Sequence, residues 1–305
     1  MRIVLLSGGV GGARLARGLA AVPDLDVTVV VNVGDDDRIY GLHVSPDIDT
    51  VLYTLSRIEG PQGWGLSGDA FTVMEHLSDF PIDTSFRIGD GDLATNLYRT
   101  SLLTEGVRLS EVTASQAAVL QIPARVVPAT DDPVRTKVLI GEGEWLSFQE
   151  YFVRRRHRDR VVDVRFEGAA RAAPAPGVLE AIAKADAVVI GPSNPALSVW
   201  PILAVPGVAE AVTEAPRVAA VSPLIGGRAL KGPAAEVLAG LGFPPGNAGV
   251  VSAYDGLLRE LVVDVSDYAD RGRLSGDALE VHVADTRIAE PAVAAAFARW
   301  LVDLL

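Results

Sequence analysis

The chain of 305 residues contains no cysteine. That excludes disulfides, thiolate nucleophiles and cysteine zinc sites together. No apolar run approaches the roughly 20 residues that span a bilayer, and no basic segment followed by a short apolar core opens the chain. A cytosolic protein without membrane attachment is expected. Positive charge is also scarce, with 27 Lys and Arg against 39 Asp and Glu and a net charge of −12. Such a chain repels polyanions, so nucleic acid is not an expected partner. Any phosphate ligand must be held by backbone N–H groups, a few local cations, or a metal ion bridging it to carboxylates. Only four histidines are present, His43, His76, His157 and His282, and none has metal-ligand spacing. Each is expected as a surface or core residue, and no serine-histidine-acid triad is suggested.

What is present reads as one large α/β domain. The hydrophobic share is 49% and the charged share 22%, a globular balance. Apolar runs at Arg2–Leu6, Val27–Asn32, Val134–Ile140, Val161–Phe166, Ala187–Ile190, Arg217–Val221, Glu260–Val265 and Leu279–Val283 are of strand type. Helical stretches stand between them at Arg14–Ala21, Asp49–Arg57, Asp92–Leu102, Leu109–Leu120, Val178–Ala185, Ala234–Leu241 and Pro291–Leu305. The alternation predicts a doubly wound, Rossmann-like, mostly parallel sheet. A stretch over approximately 142–177 differs in character and is expected as an inserted smaller substructure. It carries Trp145, Phe148, Tyr151 and Phe152, then the basic run Arg154–Arg160. That run is a solvated face, a guard over an anionic substrate, or a subunit contact. The Ala- and Pro-rich Ala169–Gly177 reads as a surface connector.

Directly after the first strand comes Ser7-Gly-Gly-Val-Gly-Gly-Ala-Arg14. A strand, a glycine turn and a helix make an anion site, because exposed N–H groups and the helix dipole point at one spot. The usual occupants do not fit. Aligning Gly9-Val-Gly11 to a dinucleotide fingerprint leaves Arg14 where the third glycine belongs, and the second strand ends in Asn32 with no carboxylate for a ribose. A P-loop needs Lys-Ser/Thr after its last glycine, and there is none. The competing reading is a glycine turn that lets a helix pack close to its strand.

In a doubly wound sheet, ligands bind outside the carboxyl ends of the strands. After the second strand comes Asn32-Val-Gly-Asp-Asp-Asp37, whose aspartates suit Mg²⁺ or solvent. Pro46-Asp-Ile-Asp-Thr50 opens a helix; Asp47 is placed to cap it and Asp49 to face the cleft. Gly63-Trp-Gly65 offers Trp64 as a lid that stacks on a flat ligand, or as a loop anchor. In Arg87-Ile-Gly-Asp-Gly-Asp92, Arg87 is a candidate substrate cation, and Asp90 and Asp92 are candidates for metal or hydroxyl contacts, with Asp92 equally a helix cap. Gly191-Pro-Ser-Asn-Pro195 and Ser222-Pro-Leu-Ile-Gly-Gly227 end late strands; Lys231 follows and is placed to neutralise a diphosphate.

These motifs in order resemble the 2-phospho-L-lactate transferase family (CofD/FbiA) over essentially the whole chain: Ser7–Arg14, Asn32–Asp36, Pro46–Thr50, Gly63–Gly65, Gly89-Asp90 with Asp92–Thr95, Ser193–Pro195, Ser222-Pro223 and Lys231–Pro233. The resemblance implies an enzyme of coenzyme F420 biosynthesis. It would move a phosphorylated three-carbon acid from a guanosine diphosphate adduct to the ribityl hydroxyl of Fo, a deazaflavin, releasing GMP. It implies Mg²⁺ dependence and a homodimer. By that likeness Gly8, Gly9, Gly11, Gly12, Ser193, Asn194, Ser222 and Lys231 hold the nucleotide. Asp49, Arg87, Trp64 and Asp47 face Fo. Asp36, Asp47, Asp49 and Asp90 are the metal candidates, and Asp49 and Asp90 the catalytic ones. The family usually carries Arg and His where this chain has Gly91 and Asn96. The acid is therefore phospholactate, phosphoenolpyruvate or phosphoglycerate. Two rival readings remain at this level: a nucleotidyltransferase that consumes GTP, and a nucleotide-sensing regulator without turnover.

Overall fold

The computed structural model describes residues 1–141 and 143–305. Glu142, where the inserted stretch was expected to begin, lies outside the described residues. Seven parallel strands form the central sheet. In chain order they are β1 (Arg2–Ser7), β2 (Asp26–Val31), β3 (Arg125–Pro128), β4 (Ala187–Ile190), β5 (Val218–Val221), β6 (Glu260–Asp264) and β7 (Glu280–Ala284). Their spatial order is β7-β6-β5-β4-β1-β2-β3. The chain winds outward from β1 through β2 to β3, returns, and winds the other way from β4. That is the doubly wound Rossmann-like arrangement, and its topological switch point lies between β1 and β4.

The central strands are unbroken apolar runs because helices cover both faces of the sheet. In β1 every residue from Ile3 to Ser7 is buried. The helix Gly9–Ala20 packs against Pro46–Ser56 and the C-terminal helix Pro291–Leu304. Its Gly18 sits against Ala294, with a backbone carbonyl where a Cβ would stand.

Three sequence expectations change. The strand Arg125–Pro128 was not anticipated, because Pro123 and Pro128 bracket a short run; it is the sheet's edge, where proline is tolerated. Val134–Ile140 and Val161–Phe166 were expected in the parallel sheet. Instead Arg135–Ile140 pairs antiparallel with Trp145–Ser147 and Val161–Glu167 in a separate three-stranded sheet. The signal was in the pattern: Arg135–Ile140 alternates between half-buried and buried, as a one-sided sheet requires. Its buried face, with Val138, Ile140, Leu146 and Tyr151, packs on Ala196, Leu197 and Val237. Ala169–Gly177 is not a surface connector either. Ala169, Ala172 and Ala175 are in the main core, and Thr130 bridges to Pro174.

Candidate active site

The glycines do not form a loop ahead of a helix starting at Arg14. The helix begins at Gly9, so Gly9, Gly11 and Gly12 occupy its first turn, where N–H groups lack intrahelical partners. Their lack of side chains is a packing requirement. A Cβ on Gly11 would overlap the carbonyl oxygen of Pro192, and one on Gly12 would overlap Ser7 Oγ and stand 2.9 Å from Ser193 Oγ. The turn after β1 is thus pressed onto the Gly191–Pro195 turn after β4, across the switch point. Gly9 has φ of +64°, the left-handed region that glycine enters without penalty. Glycine to alanine inside a helix ordinarily gains about 1 kcal/mol. Gly11→Ala should invert that sign and cost about 1–3 kcal/mol in a urea titration, because the overlapping atom is backbone; a gain would refute the packing role.

Two amides of the turn are engaged by side chains. Ser193 Oγ accepts from Gly8 N at 3.3 Å and donates to Gly8 O at 2.7 Å. Gly9 N donates to Asp47 Oδ1 at 2.6 Å. Asp47 therefore does not cap its own helix, as its sequence position suggested. Its carboxylate sits at the end of the neighbouring helix, where an anion is favoured by the dipole.

Asp47 belongs to a buried acidic cluster at the carboxyl end of β2. Asn32 Nδ2 donates to Asp47 Oδ2 at 2.9 Å and to Asp35 Oδ1 at 3.3 Å. Asp36 Oδ2 accepts from Ser45 Oγ at 2.8 Å and bonds His43 Nε2 at 3.0 Å. His43 is thus a site residue that spacing alone did not reveal. Burial pushes the Asp47 carboxyl up to about 6. Burial, then the charges of Asp47 and Asp36, pushes Asp35 well above the usual carboxylate range.

Asp49 is held by Arg99, which is fully buried. Arg99 Nη1 donates to Asp49 Oδ2 at 3.1 Å and to Asn96 Oδ1 at 2.8 Å, and Nη2 donates to Asp49 Oδ1. Burial lowers the Arg99 pKa, but Asp49 outweighs it and holds the guanidinium above its ordinary value. The network continues through Asn96 Nδ2, 2.8 Å from Asp92 O and 3.3 Å from Asp92 Oδ1, to Tyr53, whose hydroxyl donates to Asp92 Oδ1 at 2.8 Å. Burial and the charge of Asp49 push Asp92 up to about 6. Arg99 and Tyr53 escaped the sequence reading because each is an ordinary helix residue, brought to the site only when two helices pack.

The remaining candidates are placed variously. Asp90 does not join the cluster. Its carboxylate accepts from Thr72 N and Val73 N, each at 3.1 Å, and caps the helix Thr72–Leu77. Asp92 is no cap: Asp69 binds Gly91 N at 2.8 Å and Asp92 N at 3.0 Å instead. Arg87 is exposed, with its guanidinium 4.7 Å from the centroid of Phe71. Trp64 is 56% exposed. Its loop lies over the glycine helix, since a Cβ on Gly63 would stand 2.5 Å from Val10 Cγ1. Lys231 Nζ donates to Gln62 O in that same loop. Partial burial lowers its pKa, and the nearby charge of Arg14 adds to this. Asn194 Oδ1 caps the Pro195–Val199 turn, leaving its buried Nδ2 without a partner. Ser222 Oγ donates to Asn247 Oδ1 at 2.5 Å, and Asn247 in turn donates to Asp270. In the basic run, Arg154 pairs with Asp83 at 2.6 Å and Arg155 with Glu144 at 2.8 Å. No helix among the described residues is long and apolar enough to cross a membrane.

The glycine helix, the acidic turn after β2 and the Ser-Asn-Pro turn after β4 therefore meet at the switch point. The 2-phospho-L-lactate transferase CofD family model matches residues 3–294, nearly the whole chain and every element just described. The chain belongs to that family. It is 41% identical over its full length to a protein named phosphoenolpyruvate transferase from Streptomyces griseus, covering 98% of that relative. It is 39% identical over 92% of its length to a 2-phospho-L-lactate transferase from Methanococcus maripaludis, covering 92% of it. Among solved structures, a UPF0052 family protein from Bacillus halodurans superposes with a TM-score of 0.63 over 93% of this chain and 92% of that one, at 21% identity. That last likeness speaks for the fold.

Proposed function

We propose that this CofD family member transfers a phosphorylated three-carbon acid, phospholactate or phosphoenolpyruvate, from its guanosine diphosphate adduct to the ribityl hydroxyl of Fo. The step belongs to coenzyme F420 biosynthesis. The hydroxyl oxygen bonds to the phosphorus that bears the acid. The bond from that phosphorus to the bridging oxygen breaks, and GMP leaves with that oxygen. A phosphodiester is formed. The observation that carries this reading is the direct bond from the glycine helix to the acidic cluster, Gly9 N to Asp47 Oδ1. It sets the first turn of the glycine helix directly beside the buried carboxylates.

Transfer of this kind needs positioning and charge neutralisation more than covalent help. Lys231 and Arg14 stand beside the turn that would take the diphosphate. Asp49 has lone pairs beyond those given to Arg99 and would orient the attacking hydroxyl. Asp49 would also accept the hydroxyl proton as the new bond forms.

The residues fit Mg²⁺ in one respect, the crowding of the buried carboxylates of Asp35, Asp36 and Asp47 about Asn32 and Ser45. No ready-made group of three or more acidic or histidine ligands is present among the described residues. This suits an ion that keeps its waters and takes one or two carboxylates plus substrate phosphates. Asp36 and Asp47 would hold it; the charge of Asp49 is already matched by Arg99, and Asp90 caps the helix Thr72–Leu77. When bound, Mg²⁺ supplies neutralisation of the diphosphate and of the leaving GMP.

The test is incubation with Fo, Mg²⁺ and each guanosine diphosphate adduct, reading product mass. Fo carrying one three-carbon phosphodiester, with stoichiometric GMP, is expected. Pyrophosphate released from GTP would point to a nucleotidyltransferase instead.

A further inference from the structure

The segment 59–69 crosses from the glycine helix to the helix Asp90–Thr104, with a carboxylate at each end. Glu59 accepts from Arg17 Nη1 in a largely buried ion pair on the glycine helix, and Arg17 Nη2 donates to Ala289 O at 2.6 Å. At the far end Asp69 holds the amides of Gly91 and Asp92. Between these feet the chain folds back on itself. Glu59 bridges antiparallel to Leu66, Gly60 N donates to Gly65 O at 2.9 Å, and Ser67 N donates to Ile58 O at 2.8 Å. Gly63, Gly65 and Gly68 have φ of +88°, +63° and +70°, so the tip and the far leg turn where glycine alone turns freely. Trp64, more than half exposed, is carried on that tip.

The tip lies over the glycine helix at Val10 and Arg14, since a Cβ on Gly63 would stand 3.5 Å from Arg14 Nη2. A second loop fastens it there, through the bond from Lys231 Nζ to Gln62 O. That bond is opposed. The charge of Arg14 acts against that of Lys231, and Glu59, which tempers Arg14, is already given to Arg17. No carboxylate forms an ion pair with Arg14 or Lys231 among the described residues. Two neighbouring cations and one neutral carbonyl make a fastening that water breaks easily. An anion between them turns repulsion into attraction on both sides. An ammonium group has three donors, so Lys231 keeps Gln62 O and still gives two to a phosphate.

We infer that the segment 59–69 is a strap that fastens over the donor's diphosphate, with Lys231 as its latch and Glu59 and Asp69 as the feet that seat it. This rests on the transferase reading above, which brings a guanosine diphosphate adduct to the glycine helix. Glu59 and Asp69 are then positioning residues, since both act through the segment they anchor. Fastening has a chemical use, because a closed strap keeps water from the phosphorus that the acceptor hydroxyl attacks. With the strap open, a water oxygen bonds to that phosphorus and GMP leaves with the bridging oxygen. The water's proton passes to solvent, and the phosphorylated acid is lost unjoined.

Backbone hydrogen exchange read by mass spectrometry compares wild type, Lys231→Met and Lys231→Arg, each free and saturated with GDP and Mg²⁺. In wild type GDP should slow exchange over residues 58–67 about tenfold, the worth of one hydrogen bond to a charged group. In Lys231→Met that slowing should vanish while residues 9–14 stay protected, and Lys231→Arg should restore part of it. Lys231 is exposed, so each variant should melt within about 2 °C of wild type. Given the donor adduct and Fo, Lys231→Met should release GMP in excess of phosphodiester, whereas wild type keeps the two equal. Equal amounts from Lys231→Met would overturn the strap as a barrier to water. Strap exchange unmoved by GDP, with residues 9–14 protected, would overturn the strap and leave the transferase reading standing. Strap protection that survives in Lys231→Met would do the same. Protection that needs Lys231, without any transfer to Fo, would uphold the strap and sink the transferase reading. GDP that protects neither segment would sink the two together.

Discussion

Arg99→Met is expected to lower the unfolding free energy by about 3–5 kcal/mol, the usual cost of removing one partner of a buried ion pair. The guanidinium lies at zero side-chain exposure and the Asp49 carboxylate at 7%. Methionine fills much of the arginine's volume, so lost packing contributes little. What remains is a carboxylate deprived of its counter-charge, with Asp36 and Asp92 both near enough to repel it. Asn96 Oδ1 also loses the donor at 2.8 Å. A urea titration at unchanged slope reads the effect as a shift in midpoint. The double variant Arg99→Met with Asp49→Leu should recover most of the loss, because two apolar groups replace two buried charges. A single-variant loss below about 1 kcal/mol would mean that water reaches this pair and that the network does not tie the helices Pro46–Ser56 and Asp90–Thr104 together.

Asp49→Asn is expected to reduce turnover at least about 100-fold, the lower end of what positioned acid–base groups contribute. Asparagine keeps the shape and an acceptor for Arg99 but leaves the buried guanidinium without its counter-charge, so a urea titration of the variant accompanies the assay and turnover is read on folded protein. The substitution removes the charge that orients the acceptor hydroxyl. GDP affinity should stay within about threefold of wild type, since the glycine helix, Ser193 and Lys231 are untouched. The split between lost turnover and kept nucleotide binding is the diagnostic. Turnover near that of wild type would remove Asp49 from the chemistry and leave it as the partner of Arg99.

These expectations rest on a division of labour within the acidic loops. The aspartates look interchangeable in the sequence but are not so in the fold. Asp47 reaches across to another helix, Asp49 neutralises a buried arginine, and Asp90 caps a short exposed helix. Asp69, which stands in no motif, holds the first turn of the helix carrying Asp92. A carboxylate at a helix start has one local use as a cap, and sequence logic assigns that use by default. Which carboxylates are released for other work depends on what lies across the gap.

Much of the architecture was legible. Apolar runs two faces deep, spaced by amphipathic stretches, are the signature of a covered parallel sheet, and six of its seven strands were visible that way. The seventh was masked by its prolines. The antiparallel sheet was misplaced because Arg135–Ile140 and Val161–Glu167 are apolar enough to pass for central strands. Their polar alternation at Arg135, Lys137, Asp163 and Arg165 is the distinguishing mark of strands with one wet face.

By itself the chain's order of residues determined the layer plan, the glycine turn at the first strand's end and the family. Each of these is written in local periodicity or in contiguous motifs. That Gly11 and Gly12 are packing glycines against the Pro192 and Ser193 turn follows from the approach of two strand ends in space. Only there does Arg99 meet Asp49 across 50 positions, and Thr136 N donate to Gly34 O across the gap between the two sheets' loops. The physical reason is the same in each case. Burial and mutual approach set a polar group's charge, partner and purpose, and those are properties of neighbours in space that sequence spacing does not encode.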